Sequence, residues 1–414
     1  MSIVETCQRA KNNGNYIANQ TNSDKNNMLE ILAGALKESA KEIIAANAVD
    51  MQNAAVAGKE QHFLDRLKLT ESRIDDMADG LLVLTDLPDP VFNPLEKWTT
   101  KDGLQIEKVS VPFGVVAIIY EARPNVTIDC IGLCLKSGNS VVLRGSSDAI
   151  NSNKKLVEIC KNTLRCSGYS GEFIQLVEDT TREGATVLMQ QNKLIDVLIP
   201  RGSASLINSC LENSLIPVIE TGTGNCHTYV EKTGDFEAAK NILINAKTQR
   251  PSVCNACESL LVDENIAAEF LKFIKDDLQS YKIEVFGDQA ACKALDFAKP
   301  ATDEDYYAEY LALKISVKTV KDYKEAVSHI NKYGTKHSDC IITNDENAKK
   351  YFFQNVDSAC VYCNASTRFS DGFMFGFGAE MGISNQKMHA RGPMALKELC
   401  SYKYLITGEG QVRK

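Results

Sequence analysis

The 414-residue chain lacks the long apolar runs and charge blocks that mark several large classes of protein. No apolar stretch approaches the ~20 residues that a membrane-spanning helix needs, and residues 1–10 lack the apolar segment of a signal peptide. Its 54 acidic and 46 basic side chains are interspersed, which argues against nucleic acid or an anionic membrane as the main partner. We therefore expect a cytoplasmic protein that binds neither nucleic acid nor a membrane.

The usual dinucleotide-binding fingerprint, Gly-x-Gly-x-x-Gly after a strand, is also missing. The sequence Gly222-Thr-Gly224 is too short a match to indicate a nucleotide site. Two other segments suit a nucleotide better: Arg144-Gly145 follows a predicted strand, and Pro200–Ser203 lies between a predicted strand and a helix. A helix N-terminus with free N–H groups suits a pyrophosphate. Each segment alone also fits an ordinary turn, and the two together favour a nucleotide site.

Cysteine is abundant, with fourteen residues. In the cytoplasm they are expected to remain thiols rather than to form disulfides. The pairs Cys254-x-x-Cys257 and Cys360-x-x-Cys363 together supply the four thiolates of a structural zinc site. Both pairs lie in strand-like sequence without a glycine-rich turn that would bend the backbone around an ion. We predict no metal site, and a zinc or thiol-relay protein remains the alternative.

Cys254 has the sequence context of a catalytic nucleophile. It follows a helix-period segment that Pro251 ends, so its thiol is expected on a loop. Lys247 and Arg250 are close in sequence, and cations favour the reactive thiolate over the thiol. A cysteine that only packs in the core is the alternative interpretation.

Hydrophobic periodicity predicts an α/β protein. The first ~90 residues have helical spacing, with Leu29, Leu32, Leu36 and Ile43 on one face. From residue 113 to residue 219, four strand–helix units follow one another, which is typical of a doubly wound sheet. A second series from about residue 225 to residue 342 predicts another such lobe, and we expect the Cys254 loop to open into the seam between the two.

Seven blocks of the sequence resemble the gamma-glutamyl phosphate reductase family of the aldehyde dehydrogenase superfamily. In chain order they are Val111–Val116, Tyr120–Thr127, Leu135–Gly145, Asn245–Cys254, His337–Asp339, Asn364–Phe369 and Gln386–Pro393. The resemblance covers essentially the whole chain, and seven blocks in the same order are far more specific than one motif.

The resemblance implies an aldehyde dehydrogenase-like fold with two doubly wound α/β lobes and a small β-hairpin oligomerisation arm. It assigns residues 1–95 and 113–224 to a cofactor-binding domain, 225–385 to a catalytic domain, 386–400 to a return segment, and 96–112 with 401–414 to the arm. Such an arm would expose apolar strand edges in a monomer, so we expect a homo-oligomer, a dimer or larger.

The activity implied by the resemblance is the second step of proline biosynthesis, the NADPH-dependent reduction of L-glutamyl 5-phosphate to L-glutamate 5-semialdehyde with release of phosphate. Cys254 would form a thioester, and its backbone N–H with the side-chain amide of Asn125 would bind the oxyanion. Thr221 aligns with the glutamate that activates water in other aldehyde dehydrogenases. Glu220 is adjacent, which leaves an ordinary, acid-forming aldehyde dehydrogenase as a second reading. Association with glutamate 5-kinase stays open.

The resemblance also assigns binding residues. For NADPH these are Arg144 and Ser146 at the adenosine ribose and its 2′-phosphate, Gly202 and Ser203 at the pyrophosphate, and Glu309 at the nicotinamide ribose. A cation at the ribose favours NADPH over NADH. The anionic ends of the substrate have four candidate partners, unranked by the sequence: Arg123, Arg250, Arg368 and Arg391.

Overall fold

Residues 1–413, apart from the side chain of residue 62, are described by a computed structural model. Residue 414, the last of the predicted arm, lies outside the described residues. The chain divides into two units. Unit 1 comprises Met1–Glu220, Gly376–Gly382 and the segment from Met394 onwards, and unit 2 comprises Thr221–Phe375 and Ile383–Pro393.

The α-helices of the described residues are numbered in chain order. They are α1 (Ile3–Ala18), α2 (Asn22–Glu38), α3 (Ala40–Val56), α4 (Gln61–Leu67), α5 (Glu71–Asp86), α6 (Asn125–Lys136), α7 (Ile150–Cys166), α8 (Arg182–Met189), α9 (Ala204–Asn213), α10 (Phe236–Thr248), α11 (Ala267–Phe273), α12 (Lys275–Ser280), α13 (Gln289–Ala294), α14 (Asp303–Tyr307), α15 (Tyr323–Tyr333) and α16 (Glu346–Asn355). Short 3₁₀ helices occupy Ser147–Ala149, Thr367–Phe369 and Lys397–Leu399.

The strands are numbered in the same way. They are β1 (Pro94–Thr99), β2 (Gln105–Pro112), β3 (Val115–Tyr120), β4 (Ser140–Arg144), β5 (Ile174–Leu176), β6 (Val197–Arg201), β7 (Cys226–Val230), β8 (Cys257–Asp263), β9 (Glu284–Gly287), β10 (Lys299–Pro300), β11 (Lys314–Val320), β12 (Ser338–Ile342), β13 (Cys360–Cys363), β14 (Gly382–Ser384), β15 (Gly392–Met394) and β16 (Cys400–Thr407).

Unit 1 contains a parallel sheet in the order β5-β4-β3-β6. The order reverses at β3, which pairs with β4 on one side and with β6 on the other. Ligands of doubly wound sheets bind at the carboxyl ends of the strands beside such a reversal. The predicted helical N-terminus is confirmed, because α1–α5 cover residues 3–86 and Leu29, Leu32, Leu36 and Ile43 are fully buried.

The apolar segment Ile216–Ile219, which ends the first strand–helix series, also predicts a strand, and this prediction is wrong in extent. Val218 forms only an isolated bridge to Leu198, and the backbone N–H of Leu198 donates to the carbonyl of Pro217. Proline has no N–H to continue a ladder, so the pairing stops after one bridge.

Unit 2 contains a seven-stranded parallel sheet in the order β10-β9-β11-β8-β7-β12-β13. Its first strand, β7, lies between β8 and β12, so this sheet also winds in both directions. Buried side chains of β8, including Leu260 and Val262, pack with Phe270 of α11 and Leu243 of α10 in its core. The two sheets confirm the predicted α/β fold.

A three-stranded antiparallel ribbon, β1-β2-β16, belongs to unit 1. Gly103, at φ +82°, makes the turn between β1 and β2. The pairing of the C-terminal segment with this hairpin is confirmed, with Tyr402 opposite Ser110 and Thr407 opposite Gln105. In residues 1–413, no helix is long and apolar enough to cross a membrane.

Candidate active site

Cys254 lies in the loop between α10 and β8, at the amino edge of the unit 2 sheet. The last turn of α10 is followed by Gln249 at the cap position and then by Pro251, so the helix ends before the cysteine, as predicted. Cys254 is a partly exposed residue. Three residues further on, Cys257 is fully buried, and burial raises the pKa of its thiol to about 11. Of these two cysteines, only Cys254 combines access with a loop position.

Two neighbours hold the carbonyl of Cys254. The thiol of Cys226, the first residue of β7, donates to this oxygen at 3.2 Å. Gly224 packs so closely on it that a Cβ at residue 224 would lie 1.4 Å from the oxygen. The glycine of Gly222-Thr-Gly224 therefore has a packing role at the nucleophile loop, which sequence reasoning missed because it considered the pattern only as a nucleotide motif.

Asn255, the residue after Cys254, ties this loop to the segment that carries Arg368. Its Nδ2 donates to the carbonyl of Ser370 at 2.8 Å, and its own carbonyl accepts from the hydroxyl of Thr367 at 2.7 Å. Arg368 lies between these two residues. The loop and the arginine segment are therefore held together by buried hydrogen bonds on both sides of Arg368.

Arg368 lies close enough to Cys254 and Arg250 for their charges to interact. Burial, and then repulsion from Arg250, lowers the pKa of the Arg368 guanidinium, while Asp371 and Cys254 act in the opposite direction. The Nε of Arg368 donates to the side-chain carbonyl of Gln249 at 2.9 Å. An arginine of this kind remains charged, so it favours the thiolate of Cys254.

The sequence position of Lys247 indicated a cation that favours the thiolate of Cys254, but the structure pairs Lys247 with another residue. It is fully buried and paired with Glu258, which is also fully buried. Burial raises the pKa of Glu258 to about 7, against the opposing effect of Lys247. The charge of Lys247 is thus matched by a carboxylate. Arg368, which the sequence assigned only to the substrate, is a cation that acts on Cys254.

Glu309 contacts the same region of unit 2. Its Oε1 accepts a hydrogen bond from the backbone N–H of Gly224 at 2.6 Å. Burial raises the pKa of Glu309, and this hydrogen bond opposes the rise. One residue, Gly224, therefore contacts both Glu309 and the carbonyl of Cys254.

In unit 1, Arg144 ends β4 and is largely buried. Its Nη2 donates to the carbonyls of Thr180 and Thr181 at 2.9 and 2.6 Å, and burial lowers the pKa of the guanidinium. Among the described residues, the buried Nε of Arg144 and the buried hydroxyl of Ser146 have no hydrogen-bond partner. Buried polar groups normally have partners, so these two suit a polar ligand such as a nucleotide.

Gly202 and Ser203 lie where β6 leads into α9, beside the reversal of the unit 1 sheet. The backbone N–H and the hydroxyl of Ser203 both donate to the carboxylate of Glu121, at 3.0 and 2.7 Å. A Cβ at residue 202 would lie 2.6 Å from the carboxylate carbon. A carboxylate thus occupies this helix N-terminus, and Glu121 is a residue that sequence reasoning missed, although its place directly after β3 was a signal.

Asn125 is the first residue of α6. Its Nδ2 donates to Oδ2 of Asp129, one turn along the helix, at 3.1 Å. The amide of Asn125 is therefore held by a second side chain that the sequence argument did not consider.

The remaining predicted residues are placed as follows. Arg391 donates to a carboxylate oxygen of Asp357 at 2.8 Å, and Lys336 and Lys387 pair with the same carboxylate. Arg391 lowers the pKa of Asp357 to about 2; the two lysines add to this effect, and burial opposes it.

Arg123 is exposed in unit 1. Of the candidate arginines in unit 2, Arg368 interacts electrostatically with Cys254, and Arg250 interacts with Arg368.

The two Cys-x-x-Cys pairs differ in placement, since Cys257 begins β8 and Cys360 and Cys363 are the ends of β13. Within the part of the chain that the structure describes, no group of three or more His, Cys, Asp or Glu side chains is arranged to hold a metal ion. The zinc alternative has no geometric argument from these residues.

A model of the aldehyde dehydrogenase family matches residues 2–292, more than half of the sequence. The chain therefore belongs to the aldehyde dehydrogenase family. Membership makes it an oxidoreductase that uses a nicotinamide cofactor.

Individual relatives narrow the assignment of the chain within this family. The chain is 52% identical over 406 residues to a gamma-glutamyl phosphate reductase of Clostridium botulinum, with 98% of each chain covered. It is 49% identical to that of Caldicellulosiruptor bescii, covering 100% of this chain and 99% of the relative. The crystal structure of gamma-glutamyl phosphate reductase from Thermotoga maritima matches over 100% of both chains, with a TM-score of 0.98 and 42% identity. The resemblance seen in the seven sequence blocks is confirmed.

Proposed function

We propose that this chain reduces L-glutamyl 5-phosphate to L-glutamate 5-semialdehyde with NADPH and releases phosphate, the second step of proline biosynthesis from glutamate. The observation that carries the proposal is the partly exposed residue Cys254, on which the charge of Arg368 acts, in a chain 52% identical to a gamma-glutamyl phosphate reductase. An acyl phosphate is an activated carbonyl compound, so a thiolate can attack it directly.

In the proposed reaction, the thiolate of Cys254 forms a bond to the acyl carbon, and the C–O bond to phosphate breaks with its electron pair on the phosphate. The product on the enzyme is a thioester. Arg368 and Arg250 favour the thiolate beforehand and offset the charge of the departing phosphate. The backbone N–H of Cys254 and the amide of Asn125 are the proposed donors to the tetrahedral oxyanion.

NADPH, held by the residues assigned here, would supply a hydride to the thioester carbon, and the aldehyde would leave from the resulting thiohemiacetal. We assign Arg144 and Ser146 to the adenosine ribose and its 2′-phosphate, because both have a buried polar group without a partner among the described residues. Gly202 and Ser203 are assigned to the pyrophosphate, since Ser203 already binds a carboxylate. Glu309 is assigned to the nicotinamide ribose. A cationic Arg144 favours NADPH over NADH.

Hydrolysis of the thioester would divert the reaction to glutamate. Thr221, a buried residue, aligns with the water-activating glutamate of other aldehyde dehydrogenases and cannot act as that base. The acid-forming reading rests on Glu220, which is partly buried. It predicts aldehyde oxidation that needs no phosphate.

The reverse assay tests the proposal. Purified protein is given glutamate 5-semialdehyde and NADP⁺ with or without inorganic phosphate, and the absorbance of reduced cofactor is followed. We expect reduction only when phosphate is present. Equal rates without phosphate would favour the acid-forming enzyme, and no reduction with phosphate would contradict both readings.

The antiparallel ribbon supports a homo-oligomer as part of the same proposal. Every residue of β1 is exposed, and on β16 Tyr402, Tyr404 and Ile406 are 51%, 50% and 61% exposed. Apolar side chains on an open strand edge favour pairing with another chain. Light scattering should give at least twice the monomer mass, and deletion of residues 401–414 should reduce it.

We also place the enzyme in the cytoplasm. We further propose that it associates with glutamate 5-kinase, and co-purification of the two enzymes would test this association.

A further inference from the structure

The amide of Asn125 faces a carboxylate from its own helix. Asn125 begins α6, and Asp129 lies four residues later on the same face. The Nδ2 of Asn125 donates to Oδ2 of Asp129 at 3.1 Å. This contact has no obvious task in helix capping, because neither side chain caps α6.

A side-chain amide can present either its oxygen or its nitrogen, since the two ends have nearly the same shape. An ionised carboxylate only accepts hydrogen bonds, so it binds Nδ2 and rejects Oδ1. With one N–H of Nδ2 held by Asp129, the other N–H remains available to a developing oxyanion. In the opposite orientation, Oδ1 would not be able to donate and would repel the oxyanion.

The environment of Asp129 determines the pH range in which its carboxylate selects the orientation of the Asn125 amide. Burial raises the pKa of Asp129 to about 6, while the hydrogen bond from Asn125 and the charge of Arg201 at the end of β6 oppose the rise. The thiol of Cys130 is the other titratable group that interacts with Asp129, and burial keeps its pKa far above the ordinary value. Asp129 is therefore ionised at neutral pH and takes up a proton just below it.

We infer that Asp129 is a positioning residue that fixes the amide of Asn125 in the orientation that donates to the oxyanion. The inference rests on the proposed role of Asn125 in the reduction of an acyl phosphate. Protonated Asp129 can donate as well as accept, so the amide loses its fixed orientation when Asp129 takes up a proton.

A double-mutant cycle tests whether Asp129 acts through Asn125. The variants are Asp129→Asn, Asn125→Ala and both together, assayed in the phosphate-dependent reverse reaction. Removal of one oxyanion donor typically lowers kcat ~10²–10³-fold, and loss of its orientation alone should lower it about 10-fold. In the Asn125→Ala background, Asp129→Asn should have no further effect on kcat. An equal loss in both backgrounds would overturn the inference.

The pH dependence of kcat distinguishes a positioning role of Asp129 from a purely structural one. The kcat of the unmodified enzyme should fall as the pH drops through about 6, and this limb should be missing in Asp129→Asn. The KM for NADP⁺ and the rate of Cys254 alkylation by iodoacetamide should be the same in both. A limb that persists in Asp129→Asn would contradict the inference.

A third measurement needs no catalysis. The side-chain ¹⁵N–H₂ signal of Asn125, assigned by its loss in Asn125→Ala, should titrate near pH 6 in the unmodified protein and not in Asp129→Asn. A signal that does not titrate overturns the inference even in an active enzyme. A signal that titrates in a protein without phosphate-dependent activity would support the positioning of Asn125 and contradict the proposed function.

Discussion

The thiol of Cys226 donates a hydrogen bond to the carbonyl oxygen of Cys254 across 3.2 Å. The donor begins β7, a central strand of the unit 2 sheet, and the acceptor belongs to a loop. A rigid strand thereby fixes the backbone that carries the proposed nucleophile, as precise positioning of a reacting group requires.

Replacement of Cys226 by Ala should weaken this support. A lost donor to a partly buried carbonyl costs about 1 kcal/mol in the free energy of unfolding. We expect kcat to fall several-fold while the KM for the semialdehyde changes less. Cys226→Ser is the matched control, since its hydroxyl can still donate. Urea denaturation and steady-state kinetics measure both effects, and identical behaviour of Ser and Ala variants would exclude the hydrogen bond as the cause.

Cys254→Ala and Cys254→Ser should abolish the phosphate-dependent oxidation of glutamate semialdehyde. Cys257→Ser should retain most of it, because burial holds the pKa of Cys257 near 11 and leaves it a thiol at neutral pH. Initial rates of cofactor reduction, measured for the Cys254 variants and for Cys257→Ser, test this difference. Equal losses would argue against a single nucleophile.

Arg368→Gln should make Cys254 less reactive, because it removes the partly buried cation whose charge acts on that residue. The midpoint of the pH dependence of iodoacetamide alkylation should rise by about one unit, and the KM for phosphate should also rise. Arg391→Gln is the comparison, since Asp357 already holds that guanidinium. A larger effect in Arg391→Gln would reverse the ranking of the two arginines.

Arg144→Ala should narrow the preference for NADPH over NADH. Hydrogen bonds to charged groups contribute about 1.5–3 kcal/mol, so the ratio of the two kcat/KM values should fall roughly 10- to 100-fold. The loss should come from the NADPH reaction alone. An unchanged ratio would remove Arg144 from the 2′-phosphate site.

Acid should destabilise the fold through two buried histidines. Burial lowers the pKa of His337 to about 4 and that of His329 to about 3, from an ordinary value of 6.5. Below that ordinary value the unfolded chain binds more protons than the folded one, so stability falls with decreasing pH. Each histidine contributes up to about 1.4 kcal/mol per pH unit between its two pKa values.

Urea denaturation at pH 7 and pH 5 measures this loss, with His329→Phe as the test variant. The variant removes one of the two groups, so its free energy of unfolding should fall less between the two pH values. A steeper fall in the variant would contradict this reading.

The fold was largely predictable because its signals are local. Helical spacing located Leu29, Leu32, Leu36 and Ile43 on a buried face, and apolar runs located the parallel strands. Pro217 limited a strand that periodicity overestimated, because hydrogen-bond donors are not part of a hydrophobicity pattern.

The sequence predicted which types of residue form the candidate site, but it did not predict which cation interacts with which anionic group. Lys247 and Arg368 are both cations, and only the tertiary structure matches Lys247 with Glu258 and leaves Arg368 to act on Cys254. Such partners are distant in sequence, as with residues 254 and 368, so no spacing rule relates them. Gly224 was noticed for the wrong reason, since its close approach to the Cys254 carbonyl depends on a contact thirty residues away.

The carboxylate of Glu121 occupies the N-cap of α9, where we propose that the pyrophosphate of the cofactor binds. A pyrophosphate that bound the N–H and hydroxyl of Ser203 would replace an internal competitor already hydrogen-bonded to both. The net binding free energy of the pyrophosphate would then be reduced by that of the carboxylate contact it replaces. Because this competitor is tethered beside Ser203, we expect it to speed release of the dinucleotide where cofactor dissociation limits turnover.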